Sequence, residues 1–362
     1  MVYQFENDYQ IYKGVKIMKK KLIKKLTALV LAGLMAFSFA GCAGNQSKNA
    51  KENSNTSSAS SSATNADRKI KVVCTTYPQY DWVRQIIGDK KDDYELVLLL
   101  DNGVDLHSYQ PTTEDIVQAG SADLFIYVGG ESDGWVDDVL KQKTNPDLKT
   151  VNLLDAIGEA VKEEEVKEGM QAEEEEEEGE EEEVEYDEHV WLSLKNASVL
   201  VNVIASDLEE IDPKNKEALE KNAAAYIMEI DQLDAKYEDV VKNASKKAVV
   251  FGDRFPFRYL VDDYGIDYYA AFVGCSAESE ASFETVAFLS KKVDELGLKS
   301  VLVIESSDEK IAKSVIANTK DKDMKILKMD SLQSVTKDEL NGEKSYLGIM
   351  TSNLSVLEEA LN

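Results

Sequence analysis

The chain has 362 residues, 43% hydrophobic and 30% charged, a globular composition with apolar mass for more than one core. Its 69 Asp and Glu against 41 Lys and Arg give a net charge of −28, which excludes a general nucleic-acid binder because a phosphate backbone would be repelled. Three Cys exclude a disulfide scaffold and a four-thiolate zinc site, and a His count of 2 excludes a histidine-rich metal buffer.

The N-terminus comes first. Lys19, Lys20, Lys21, Lys24 and Lys25 precede an apolar run from Leu26 to Ala40, which ends in Phe39-Ala40-Gly41-Cys42. A basic cluster, a short apolar stretch and small residues at the cut are the layout of a secretory signal. The run is about 15 residues, short of the roughly 20 that span a bilayer. Its Ala-Gly-Cys ending resembles a bacterial lipoprotein signal, which implies lipidation of Cys42. Met18 is the natural start of such a signal, so residues 1–41 read as an upstream extension and a signal peptide. Residues 42–68, rich in Ser, Asn, Ala and Thr without apolar period, read as a flexible tether. The folded part is then expected outside the cell, lipid-anchored to the outer face of the cytoplasmic membrane.

Ile70–Thr75, Glu95–Leu100 and Asp123–Val128 are predicted strands, each a short apolar run bounded by polar or turn residues. Helical patterns such as Trp82, Val83, Ile86 and Ile87 separate them. The alternation predicts an α/β lobe with a mostly parallel sheet over 69–211. Residues 173–188 carry 13 acids in 16 positions, which cannot pack together. Residues 173–188 therefore read as a mobile, solvated stretch of an acidic loop over 163–188, either purely solubilising or an antenna that concentrates cations near a site. Val199 to Leu208 is helical in period. Asp212-Pro213 is a helix start signal. Leu219, Ala223, Tyr226, Ile230, Leu233, Tyr237 and Val240 then recur every three or four residues. A stiff helix over 212–246 is expected to join the first lobe to a second. In 247–362 the segments Ala248–Phe251, Tyr268–Phe272, Val301–Glu305 and Lys325–Met329 are predicted strands.

His107 lies in Gly103-Val104-Asp105-Leu106-His107-Ser108-Tyr109-Gln110-Pro111, a loop after a strand, where α/β sheets gather ligand groups. Thr112, with Asp115 three residues on, reads as the N-cap of the next helix. His189 lies in Asp187-Glu188-His189-Val190-Trp191-Leu192 at a helix start. Imidazoles beside carboxylates suit first-row transition metals. Further ligands would have to be carboxylates. Asp253, Glu305 and Asp330 all stand near carboxyl ends of second-lobe strands, and each also reads as a helix cap or a surface acid. Cys74 and Cys275 read as buried inert thiols, with an interlobe disulfide as the first alternative and metal binding, which would favour zinc, as a lesser one. Tyr77, Tyr80, Trp82, Phe255, Phe257, Tyr268, Tyr269 and Phe272 read as core and interlobe packing.

From about residue 69 to the end, the chain resembles the metal-binding solute receptors of bacterial zinc/manganese ABC importers. The resemblance rests on the His107 and His189 segments just quoted and on Tyr259 through Tyr264-Gly265. Glu278, Glu280 and Ser282, Val303-Ile304-Glu305-Ser306 and Met329-Asp330-Ser331 add to it. It implies an α/β fold of two lobes joined by a rigid backbone helix, with the metal in the interlobe cleft. It implies His107, His189 and Asp330 as ligands, with Glu305 as a supporting acid. The third family ligand, a His or Glu, falls on Arg254, which cannot bind a cation. Either Asp253 reaches in while Arg254 turns to pair with an acid, or three protein ligands and a water hold the ion. Two imidazoles favour Zn2+ over Mn2+. The implied partners are an ABC permease with its ATPase and the membrane through the lipid, for a monomer that binds no nucleic acid. A metallohydrolase lacks support, since neither a Gly-x-Ser-x-Gly elbow nor a His-Glu-x-x-His motif is present. A receptor for chelated iron and a surface adhesin stay open.

Overall fold

The computed structural model describes residues 68–171, 185–276, 280–340, 342 and 344–362. The signal, the tether with Cys42, the acidic residues 172–184 and Glu278 lie outside them.

The first lobe is a parallel four-stranded sheet of order β2-β1-β3-β4, with β1 Ile70–Cys74, β2 Tyr94–Leu98, β3 Leu124–Tyr127 and β4 Lys149–Asn152. Helices α1 Tyr77–Ile87, α2 Thr113–Gly120, α3 Val136–Gln142 and α4 Leu153–Ile157 alternate with these strands. Helix α2 starts on a capping box. The Asp115 amide donates to Thr112 Oγ1 at 3.2 Å, and the Asp115 carboxylate accepts from the Thr112 amide at 2.8 Å. Strand β4 carries no apolar run; only Val151 of its residues is buried, and the strand forms the sheet edge.

Two long helices follow, α5 Leu194–Ile211 and α6 Lys216–Asn243. The 28 residues of α6 make a rod of roughly 42 Å. Pro213 sits in the corner before it, so α6 begins later than the Asp-Pro pair suggests. The buried Asp212 carboxylate fixes that corner, accepting from the Tyr94 hydroxyl at 2.7 Å and the Asn215 amide at 2.8 Å. The buried face of α6 is Leu219, Ala223, Tyr226, Ile230, Leu233, Tyr237 and Val241.

The second lobe repeats the plan with order β6-β5-β7-β8, from β5 Ala248–Phe255, β6 Asp267–Val273, β7 Ser300–Ile304 and β8 Lys325–Met329, again all parallel. Its helices are α7 Arg258–Tyr264, α8 Phe283–Leu296, α9 Lys310–Asn318, α10 Lys337–Leu340 and α11 Tyr346–Ala360. Strand β5 is longer than its apolar run. It continues through Asp253 to Phe255, with a register shift between Phe251 and Arg254.

One apolar core is continuous through the first lobe, α5, α6, α11 and the inner face of the second sheet. A separate cluster around Val250, Leu289, Val301 and Val315 covers that sheet's other face. The aromatic residues named from the sequence lie in or against these cores, and Phe255 stacks on Tyr268 at 3.9 Å between centroids. Buried hydrogen bonds also cross between lobes. Trp191 Nε1 donates to the Ser331 carbonyl at 2.9 Å, Tyr346 Oη to the Trp191 carbonyl at 2.7 Å, and Tyr259 Oη to the Asp187 carbonyl at 2.9 Å.

The described ends of the acidic insertion are packed, and buried Asp187 and Glu188 contrast with the solvated stretch expected over 173–188. The Glu164 amide donates to the Glu185 carbonyl at 2.9 Å, and the Asp187 amide to the Lys162 carbonyl at 2.9 Å. The incoming segment reaches the second sheet, where the Gln171 amide donates to the Ala271 carbonyl at 2.9 Å. Lys167 pairs with Asp267 at 2.6 Å, and Arg258 with Glu165 at 3.1 Å. Lys167 and Met170 within the flank, and Arg258 across from it, therefore anchor a run whose charge alone argued for solvent.

Candidate metal centre

His107 rides on a one-turn 3-10 helix, Leu106–Ser108, after β2. Asp105 opens that turn and accepts from the His107 amide at 3.1 Å. His189 ends the return from the acidic insertion and precedes a second 3-10 turn, Val190–Leu192. It is fully buried. Asp187 accepts from both the His189 amide and Nδ1, each at 2.9 Å. That carboxylate fixes the orientation of the ring and leaves Nε2 turned toward His107.

The two Nε2 atoms face each other at 3.1 Å. Two nitrogens on one tetrahedral zinc, each at about 2.05 Å, would lie ~3.3 Å apart. The rings are thus already placed for one shared ion. Without an ion, the contact needs an N–H on one side, which a metal displaces. Ser132 Oγ lies 3.0 Å from His107 Nδ1 and can donate or accept, so it serves either tautomer. Glu188 Oε2 stands 3.6 Å from the same nitrogen, beyond a hydrogen bond. Burial pushes the Glu188 carboxyl up to about 7. Burial, helped by the charges of His189 and Arg254, holds the His107 imidazole well below its ordinary value. The metal-free pair therefore does not form an ion pair, and His107 presents a neutral ring.

Among the described residues, one group of three side chains could hold a metal: His107, His189 and Cys275, with ligand atoms within 4.8 Å of one another. Cys275 follows β6. Gly274 lets that loop approach, because a Cβ there would meet the Phe255 carbonyl at 2.9 Å and the His189 ring at 3.0 Å. Gln333, after β8, places its amide 2.7 Å from His189 Nε2. Turned so that its nitrogen donates to Asp105 Oδ1 and Oδ2, at 3.0 and 2.7 Å, its oxygen faces that Nε2. A cavity of about 380 Å³ opens beside the group, lined by His107, Cys275, Trp135 and the carboxylates of Glu131, Glu164, Glu185 and Glu188.

Residues 72–360 match the family model for ZnuA, described as the periplasmic component A of a zinc-uptake complex. The chain belongs to the ZnuA family. The zinc-binding protein AdcA of Streptococcus pyogenes serotype M18 is 30% identical over 296 residues, 81% of this chain and 56% of that protein. The chain thus spans little more than half the length of the AdcA relatives it matches. The high-affinity zinc uptake system protein ZnuA of Bacillus subtilis is 32% identical over 342 residues, 94% of this chain and 99% of that protein. The crystal structure of the Zn(II)-bound ZnuA-like domain of Streptococcus pneumoniae AdcA superposes with a TM-score of 0.62 at 27% identity, covering 81% of this chain and 99% of that one. The two-lobed α/β fold with parallel sheets is the ZnuA-family fold.

Within this ZnuA-family frame, the structure brings together His107 and His189 and does not bring Asp253 or Asp330 to them. Asp253 lies inside β5 at the register shift, directed toward Ser307 and the Ile304 backbone, and not on a rim loop beyond the strand. Burial raises its carboxyl. Asp330 caps the turn after β8, accepting from the Leu332 amide at 2.8 Å and facing Lys344 at 3.3 Å. Glu305 accepts from the Ser331 amide and hydroxyl, each at 2.8 Å, and so holds the turn that carries Gln333. Burial, then the charge of Asp330, raises the Glu305 carboxyl. Arg254 is ion-paired with Asp105 and donates to the Ser276 carbonyl, so it links the His107 loop to the Cys275 loop. Cys74 and Cys275 are both free thiols; Cys74 is sealed inside β1. Sequence reasoning did not assign Cys275 or Gln333 to the site. Both follow second-lobe strands, the rule that drew attention to Asp253 and Asp330.

Proposed function

We propose that the protein captures zinc outside the cytoplasm and delivers it to an ABC permease driven by a cytoplasmic ATPase. The observation that carries this reading is the pair of imidazole Nε2 atoms facing each other at 3.1 Å between two packed lobes. Membership of the ZnuA family and the zinc named in its relatives support the cargo and the direction of transport. His107 and His189 are the imidazole ligands of the ion. The four Glu of the adjoining cavity give a cation an attractive approach. Cys42 anchors the chain to the membrane by lipid, at the end of a basic and apolar leader. Among the described residues no helix is long and apolar enough to cross a membrane.

The test is competitive loading. Offered equimolar zinc and manganese, the protein retains zinc in native mass spectrometry, and calorimetric titration of His107→Ala shows zinc affinity reduced by orders of magnitude. Melting of the metal-free protein is nearly unchanged by that substitution. Undiminished zinc binding by His107→Ala contradicts the site, and retention of manganese over zinc contradicts the cargo.

A further inference from the structure

We propose that the Cys275 thiolate is the third protein ligand of the ion and fixes its preference for zinc over manganese. The inference deepens the proposed function and rests on it. Three observations converge. First, the position where the family resemblance implies a His or Glu is Arg254, whose guanidinium is consumed by Asp105 and the Ser276 carbonyl. Second, the Cys275 sulfur lies within 4.8 Å of both imidazole ligand atoms, on the lobe opposite them. A zinc bonded to nitrogen at about 2.05 Å and sulfur at about 2.3 Å would hold those atoms ~3.6 Å apart, so the remaining closure is at most about 1 Å. Third, the loop is built to bring the sulfur there. Gly274 has no side chain where a Cβ would strike the His189 ring, and Glu164 Oε1 accepts from the Cys275 amide at 3.1 Å.

Arg254 and Cys275 thus form one exchange. The cation that replaces a ligand clamps the loop that supplies another, because its bond to the Ser276 carbonyl holds the residue after Cys275. Burial, with Glu164, Asp187 and Glu188 nearby, pushes the thiol up, so the metal-free sulfur carries its proton. As the sulfur–metal bond forms, that proton leaves to solvent and no electrons are exchanged. The Gln333 amide oxygen faces the fourth direction. Two imidazoles and a thiolate suit zinc, whereas manganese prefers oxygen donors.

The test uses Co2+ as a spectroscopic probe on the folded protein, with zinc displacement for affinity. The wild type should show a thiolate-to-cobalt charge-transfer band in the near ultraviolet. Cys275→Ser should lose the band and bind zinc on the order of tenfold to a hundredfold more weakly. Cys74→Ala should keep the band. Cys275→Asp should narrow the preference for zinc over manganese. Tight cobalt binding by the wild type without the band overturns the proposal and leaves the receptor reading intact, as does a band that survives Cys275→Ser. Failure of the wild type to bind either zinc or cobalt overturns both. Since the wild-type band is read by itself, a Cys275 variant that does not fold leaves the test decisive.

Discussion

His107 and His189 are alike in sequence and unlike in setting. Asp187 fixes the orientation of the His189 ring, while the Ser132 hydroxyl, which can donate or accept, leaves His107 free to exchange its tautomer. His189 is a fixed socket and His107 adapts, which suits an ion that must arrive and leave. Ser132 owes its place to the turn Glu131–Asp133, and that turn holds a testable charge. Asp133 Oδ2 accepts from the Val128 and Gly129 amides at 2.7 and 3.0 Å, yet burial pushes its carboxyl up to about 6 from 3.8. A carboxyl raised on folding binds its proton more tightly in the native state. Its contribution is therefore complete below pH about 4 and lost as pH rises through about 6. Asp133→Asn, whose amide oxygen can accept the same two bonds, should match wild-type stability near pH 4. Above pH 7 it should exceed it, by on the order of 2–3 kcal/mol. Denaturant titration at the two pH values measures this; equal stabilities at both would contradict it.

At the scale of elements, strands with an apolar run were legible, and seven of the eight have one. Lys149–Asn152 does not: its four residues Lys-Thr-Val-Asn hold one apolar side chain, too few to show a strand. The long helix was legible from its period, although Val241, and not Val240, completes its buried face. The imidazole pair was legible because the composition offers no other histidines. The rest of the site was not, for a geometric reason: Asp253 was placed beyond a strand that in fact continues past it, while the loop after β6 delivers a thiol. Local sequence does not encode where a bulged strand stops. The elements that join the lobes can be tested singly. Tyr346, first in α11, donates to the buried Trp191 carbonyl, and Trp191 in turn reaches the Ser331 carbonyl. Tyr346→Phe leaves a buried carbonyl without its donor and should cost about 1–3 kcal/mol in denaturant unfolding. A loss below the error of the measurement would mean that this bridge does not couple the lobes.

Taken whole, the molecule has two sheets but one main core, which α6 and α11 carry across both lobes. A continuous core and several buried interlobe hydrogen bonds leave little room for a wide hinge. Zinc should therefore close the site by small loop movements. Small-angle scattering with and without zinc should give nearly the same radius of gyration, and a large contraction would contradict the rigid frame. The claim on which everything rests is that two imidazoles meet on one ion. Zinc-edge X-ray absorption of the loaded protein measures this most directly. The expected spectrum has the outer-shell scattering of two imidazoles, nitrogen at about 2.0–2.1 Å and one sulfur at about 2.3 Å. A shell of oxygens alone, without imidazole scattering, would contradict it.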